Sequence, residues 1–179
     1  MGMTKLLMFA MLPMAVFAQA ACSDSTGKLA TAIDGADRMT LHEGLPHQHF
    51  ERELLESERR SKPVRELDGY PFYQAPLALS AEDTKRLAQL LSDPATFQSF
   101  SGEKLCGGFH PDFAVEWQKG PRSYRALLCF GCGEAKLFGP GLDERYDLAK
   151  LAKSKLEALL GRYRQNRPLS DYFRDRGRR

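Results

Sequence analysis

The chain has few of the features that announce a known chemistry. In 179 residues there are one tryptophan, four cysteines and four histidines. No glycine-rich loop leads into Lys-Ser/Thr, and Gly107-Gly108 is too short to cradle a phosphate. Neither Gly-x-Ser-x-Gly nor His-Glu-x-x-His occurs, which excludes the hydrolase elbow and the helical zinc-protease site. After residue 21 no apolar stretch approaches the roughly 20 residues that span a bilayer. Charge of one sign is not in excess either. Of 26 basic and 23 acidic side chains only Lys5 lies in the first 21 residues, so the remainder carries +2. That balance gives no electrostatic case for nucleic acid. Internal repeats and long low-complexity tracts are absent.

What is present begins at the N-terminal end. Lys5 is followed by an apolar run from Leu6 to Phe17, broken only by Pro13, and then by Ala18, Gln19, Ala20, Ala21 and Cys22. A basic start, a short apolar stretch and small residues are the layout of a secretory signal. Residues 1–21 are therefore expected to be a lipoprotein-type signal peptide, cut before Cys22, whose sulfur receives the lipid. Gln19 departs from the aliphatic residue usual three places before such a cysteine. Ordinary cleavage before Ala21, giving a soluble periplasmic protein, is the alternative. Ser23 after the cysteine resembles the pattern that sorts lipoproteins to the outer membrane.

Residues 22–44 are small and polar and read as a tether. A single domain is expected over 45–170, followed by a basic tail at 171–179. Within the domain, Phe50 to Arg60 reads as a short charged helix ended before Pro63. Val64 to Leu79, with prolines at 71 and 76, reads as extended edge segments. Ser80-Ala81-Glu82-Asp83 is a capping box opening a helix with Leu87 and Leu91 on one face; Asp93-Pro94 ends it. Phe113, Val115 and Trp117 alternate as a strand, Tyr124 to Phe130 makes a second and Glu134 to Phe138 a third. Gly139-Pro140-Gly141 closes this meander. Asp147 is expected to cap a last helix carrying Leu148, Leu151, Ala152, Leu156, Leu159, Leu160 and Tyr163 in one stripe, ended by Asn166-Arg167-Pro168. The fold class is α+β: a small antiparallel meander packed against two amphipathic helices.

Cys106-Gly107-Gly108-Phe109-His110-Pro111-Asp112 leads into the first strand, and Cys129-Phe130-Gly131-Cys132-Gly133 ends the second. Neighbouring strands of a meander bring these two ends together, so Cys106, His110, Cys129 and Cys132 should cluster. Three chemistries fit. A disulfide from Cys106 to Cys129 or Cys132 would close a loop of about 25 residues, worth on the order of 3 kcal/mol. The three sulfurs and His110 also make a tetrahedral zinc set. A redox Cys-x-x-Cys is the third, although that motif usually opens a helix and a strand follows here. Covalent haem is excluded because Gly133, not histidine, follows Cys132. His110 and Asp112 read as a turn around Pro111 or as an acid–base pair, and His47-Gln48-His49 as a solvated loop or a metal-binding pair. If Cys22 is lipidated, three cysteines remain and one is left over.

Taken together, Leu41-His42-Glu43-Gly44-Leu45-Pro46-His47, Cys106 to Phe113 and Cys129 to Cys132 resemble an uncharacterised family of bacterial exported, lipoprotein-like proteins, over roughly residues 40 to 168. The resemblance implies location and fold rather than mechanism. Members with histidine at the position of Gly133 differ from this chain, which weakens any metal role needing that side chain.

The expected function is that of a non-enzymatic envelope lipoprotein, a binding or accessory domain without a cofactor. Its partners would be the bilayer, through an acyl chain on Cys22, and an envelope protein. One alternative is a metal-binding (zinc) or thiol-redox protein working through Cys106, His110, Cys129 and Cys132. Another is an immunity lipoprotein that neutralises a toxin.

Overall fold

A computed structural model describes residues 27–34, 36 and 38–166. The signal segment 1–21, Cys22 and the tail 171–179 lie outside the described residues. Along the chain run α1 (27–33), β1 (Arg38–Glu43), α2 (Arg52–Ser61), β2 (Val64–Leu67), β3 (Tyr70–Tyr73), α3 (Ala81–Ser92), a 3-10 turn (Pro94–Thr96), β4 (Phe97–Ser99), β5 (Phe113–Lys119), β6 (Arg122–Cys129), β7 (Glu134–Gly139), β8 (Leu142–Leu148) and α4 (Lys150–Gly161).

Six strands form one antiparallel sheet in the order β1-β5-β6-β7-β8-β4, and β2 and β3 form a separate hairpin. The α+β class is as the sequence implies, with a larger sheet. The register sorts side chains onto two unlike faces. Leu41, Val115, Ala126 and Leu137 are direct cross-strand partners, all fully buried. With Trp117, Phe113 and Tyr146 they form the main core under α1, α3 and α4. On the other face the row is His42, Ala114, Leu127, Lys136 and Arg145. Here a second, smaller core of Leu67, Phe72, Phe109, Leu127, Cys129 and Cys132 packs under the β2–β3 hairpin and the loop before β5.

Several boundaries differ from the expectation. The described part of the tether is folded: Leu29, Ala32 and Ile33 of α1 and Leu41 of β1 enter the main core. A strand at the sheet edge needs only one covered face, so Arg38 and Thr40 hide its alternation among polar residues. The meander also continues past Gly141 into β8. Asp147 is part of that strand and caps no helix; its carboxylate accepts from Lys104 Nζ (2.6 Å) and Ser101 N (3.1 Å). Leu148 likewise belongs to β8, while Leu151 is 69% exposed. α4 starts after Ala149 with no side-chain cap and ends at Gly161, short of Asn166. The segment from Val64 folds back on itself as a hairpin, bridged to β1 through Leu41–Leu77 and Gly44–Phe72.

The Ser80 cap forms, its hydroxyl accepting from Asp83 N (3.1 Å). The reciprocal limb of the box does not. Asp83 instead receives Tyr163 Oη (2.5 Å) and Arg162 Nη2 (3.0 Å), tying α3 to the end of α4.

The revised stripe of α4 can be tested with two substitutions. Leu156→Ala, at a fully buried side chain, should cost about 2–5 kcal/mol in urea unfolding. Leu151→Ala should change stability by no more than about 0.5 kcal/mol.

Candidate functional site

The meander brings the Cys106 loop against the turn after β6, as the strand order requires. Cys106 and Cys132 are joined as a disulfide with Cα atoms 5.7 Å apart. Cys129 is a free thiol buried beside them, and its sulfur accepts the backbone N–H of Cys132 at 3.2 Å. Burial pushes that thiol up to about 12, the negative charge of Asp112 adding to the effect, against hydrogen bonds from the backbone of His110 and Cys132. Phe109, Leu127, Phe72 and Leu67 pack around the thiol in the smaller core.

The backbone of His110 joins this cluster. The His110 ring lies tilted against that of His47, centroids 4.6 Å apart, and the His47 ring is in turn 4.5 Å from that of Phe50. Two of the four residues in the expected zinc set are spent on the disulfide. Among the described residues no group of three or more histidine, cysteine or carboxylate side chains is arranged to hold a metal ion. The His47-x-His49 pair is a local turn: His49 N donates to His47 Nδ1 at 3.1 Å, and His47 N donates to Glu51 Oε2 at 2.8 Å.

Asp112 does not act with His110 as a pair. Its Oδ2 accepts from Phe130 N at 2.7 Å and its Oδ1 from Arg164 Nη2 at 2.6 Å. The Arg164 guanidinium also lies over the Phe113 ring, 4.9 Å from its centroid. Glu43, fully buried at the end of β1, accepts from Gln165 N, Asn166 N and Asn166 Nδ2 at 3.0–3.1 Å through one oxygen. These two carboxylates clamp the segment after α4 to the sheet.

Sequence reasoning missed the polar side of the second face. Glu134, fully buried directly after the Cys129–Gly133 motif, takes Arg145 through Nε (2.9 Å) and Nη2 (2.8 Å), with Lys104 Nζ at 3.5 Å. Arg145 reaches on to Glu103, and Lys104 to Asp147. At the opposite side His42 is 1% exposed, with Nδ1 3.3 Å from Tyr73 O. Its Nε2 faces both Arg65 Nη1 (3.1 Å) and Glu116 Oε1 (3.3 Å). With a hydrogen on Nε2 the ring donates to Glu116; in the other neutral tautomer Nε2 accepts from Arg65. Arg125, cross-strand partner of Glu116, bonds Asp68 of the hairpin turn at 2.7 Å. A cavity of about 300 Å³ opens beside this network, lined by Arg38, Thr40, His42, Arg65 and Glu116 among others. The signal available in sequence was the period-two placing of Glu116 between Ala114 and Gln118; its partners come from strands and a hairpin 40 or more residues away or across a turn.

Two measurements follow. Arg164→Ala leaves the Asp112 charge buried without its partner, and should lower unfolding stability by about 3–5 kcal/mol. The His42 hydrogen bond, with Arg65 and Arg125 nearby, holds the Glu116 carboxyl below its ordinary 4.5 despite partial burial. A depressed folded value contributes stability that is present above the ordinary value and lost as pH falls through the folded one. Urea midpoints should therefore drop below about pH 4.5, and Glu116→Gln should flatten that drop.

No protein family, no curated protein and no solved structure matches this chain.

Proposed function

We propose that the chain is an exported protein anchored to the bacterial envelope by a lipid on Cys22, and that its α+β domain binds a partner without performing catalysis. The observation that carries this reading is the fate of the cysteines. Cys106 and Cys132 are bonded to each other, and Cys129 is sealed in the smaller core. Cys22 is the one cysteine outside this cluster, and it stands directly after an apolar run and Ala20-Ala21. A disulfide joining neighbouring strand ends also suits an oxidising compartment.

The non-catalytic part of the reading is supported by how the charged side chains are used. Asp112 is taken up by Arg164, Glu134 by Arg145, and Glu43 by three donors after α4. Groups committed in this way hold the fold and are poorly placed to exchange protons with a substrate. Ser23 favours the outer membrane, with the domain facing the periplasm. Among the described residues no helix is long and apolar enough to cross a membrane.

Growth with labelled palmitate, followed by intact mass measurement of protein from the envelope, tests the anchor. Label on the mature chain, lost in Cys22→Ala, is expected. An unlabelled chain cut before Ala21 would overturn it.

A further inference from the structure

The disulfide and the free thiol share one small pocket, and a passive staple has no use for the third sulfur. Cys129 ends β6, and Cys132 lies three residues on, in the four-residue connection to β7 across which Cys129 and Glu134 are cross-strand partners. A Cys-x-x-Cys pair turned back on itself in this way has the spacing of redox disulfides. The N–H of Cys132 already rests on the Cys129 sulfur. On the other side of the existing bond, Cys106 sits in a loop with neither helix nor strand. Gly107 and Gly108 follow it with φ of 80° and 88°, a backbone few other residues adopt, and Leu105 before it is fully exposed. Cys132 is therefore flanked by two cysteines, one buried and fixed by a tight turn, the other half-exposed on a glycine-rich loop.

We propose that Cys106, Cys129 and Cys132 are a thiol–disulfide exchange site, in which the Cys106–Cys132 bond converts to Cys129–Cys132 and presents Cys106 as a surface thiol for reaction with an external disulfide. In the first step the Cys129 sulfur attacks Cys132 Sγ. The Cys129–Cys132 bond forms, the Cys106–Cys132 bond breaks and Cys106 leaves as a thiolate that takes up the proton lost by Cys129. No oxidant or reductant is consumed. In the second step the Cys106 thiol gives its proton to solvent, and the thiolate attacks one sulfur of an external disulfide, forming a mixed disulfide and releasing the other sulfur as a thiolate that takes up a proton.

Burial keeps Cys129 protonated near neutrality, so the site is latent there and the exchange speeds up with alkaline pH. Because only the thiolate attacks, the rate should rise about tenfold per pH unit from 7 to 9. The exchange goes beyond the partner-binding reading of the domain and does not depend on the lipid anchor: the palmitate label reads the anchor and the cysteine map reads the exchange.

The full chain, oxidised, is held at pH 7, 8 and 9 with iodoacetamide as the trap, then acid-quenched and mapped by mass spectrometry. The expected product carries the label on Cys106 and a Cys129–Cys132 disulfide in the same molecules. Cys129→Ser, which keeps the volume of the side chain, should remove the Cys106 label. With oxidised glutathione as the probe, the glutathione should be found on Cys106. Label on Cys129 with Cys106–Cys132 intact, no label on Cys106 after prolonged incubation at pH 9, or Cys106 labelling that survives Cys129→Ser would each overturn the proposal. As an independent check, Cys106→Ser oxidised in air should form Cys129–Cys132, and a persistent dithiol would count against it.

Discussion

Three segments distant in sequence meet at Asp112. Its carboxylate takes the N–H of Phe130, where the cysteine turn begins, and the guanidinium of Arg164, beyond the last helix. Its own N–H donates to Leu128 O in β6, and its carbonyl accepts Gly44 N at the end of β1. A buried carboxylate is costly unless fully paired, so this one can exist only when the edge strand, the meander and the C-terminal segment are all in place. That condition couples the two faces of the sheet. Gly44 is part of the same constraint: a Cβ there would run into the carbonyl oxygen of Pro111, which is why the chain passes this point as glycine.

The two faces divide the work of the fold. One is dry and closed by three helices, the usual arrangement of an α+β domain. The other is half apolar and half ionic. Lys136 shows how the halves join: its ammonium donates to Tyr70 Oη at 2.8 Å and lies 4.9 Å from the Phe109 ring centroid, so one side chain holds both the hairpin and the cysteine loop to the sheet. The sulfur chemistry therefore sits in a small core that is roofed by two loosely regular segments, not by helices.

The central meander was legible in the sequence because β5 alternates and β6 is an apolar run bounded by turn residues, and the clustering of Cys106 with Cys132 followed from strand adjacency alone. Other parts were not legible, for identifiable reasons. β8 reads Leu-Asp-Glu-Arg-Tyr-Asp-Leu; with charges at four of seven positions it has the composition of a helix start. β1 is an edge strand whose polar side is satisfied by Arg65 and Glu116, partners invisible until the hairpin is placed. The role of Asp83 was half legible. Its backbone N–H fills the cap as the motif requires, but its side chain answers to Tyr163, 80 residues on. Of the two readings of Asp112, a residue that takes up backbone amides in a turn and an acid–base partner of His110, the first is the nearer: it accepts Phe130 N, 18 residues away, and Arg164, 52 residues away, adds the part that no local motif shows.

α2 has no buried residue. It is held by Tyr73 Oη on Glu58, by the Lys62–Glu58 pair and by the turn at His47 and Glu51. Nothing in either core would register a change on most of its surface. A segment attached in this way can be rewritten position by position without repacking the domain. Over evolutionary time the outline that the protein presents to its surroundings can drift there while the sheet, the clamp at Asp112 and the sulfur pocket stay as they are.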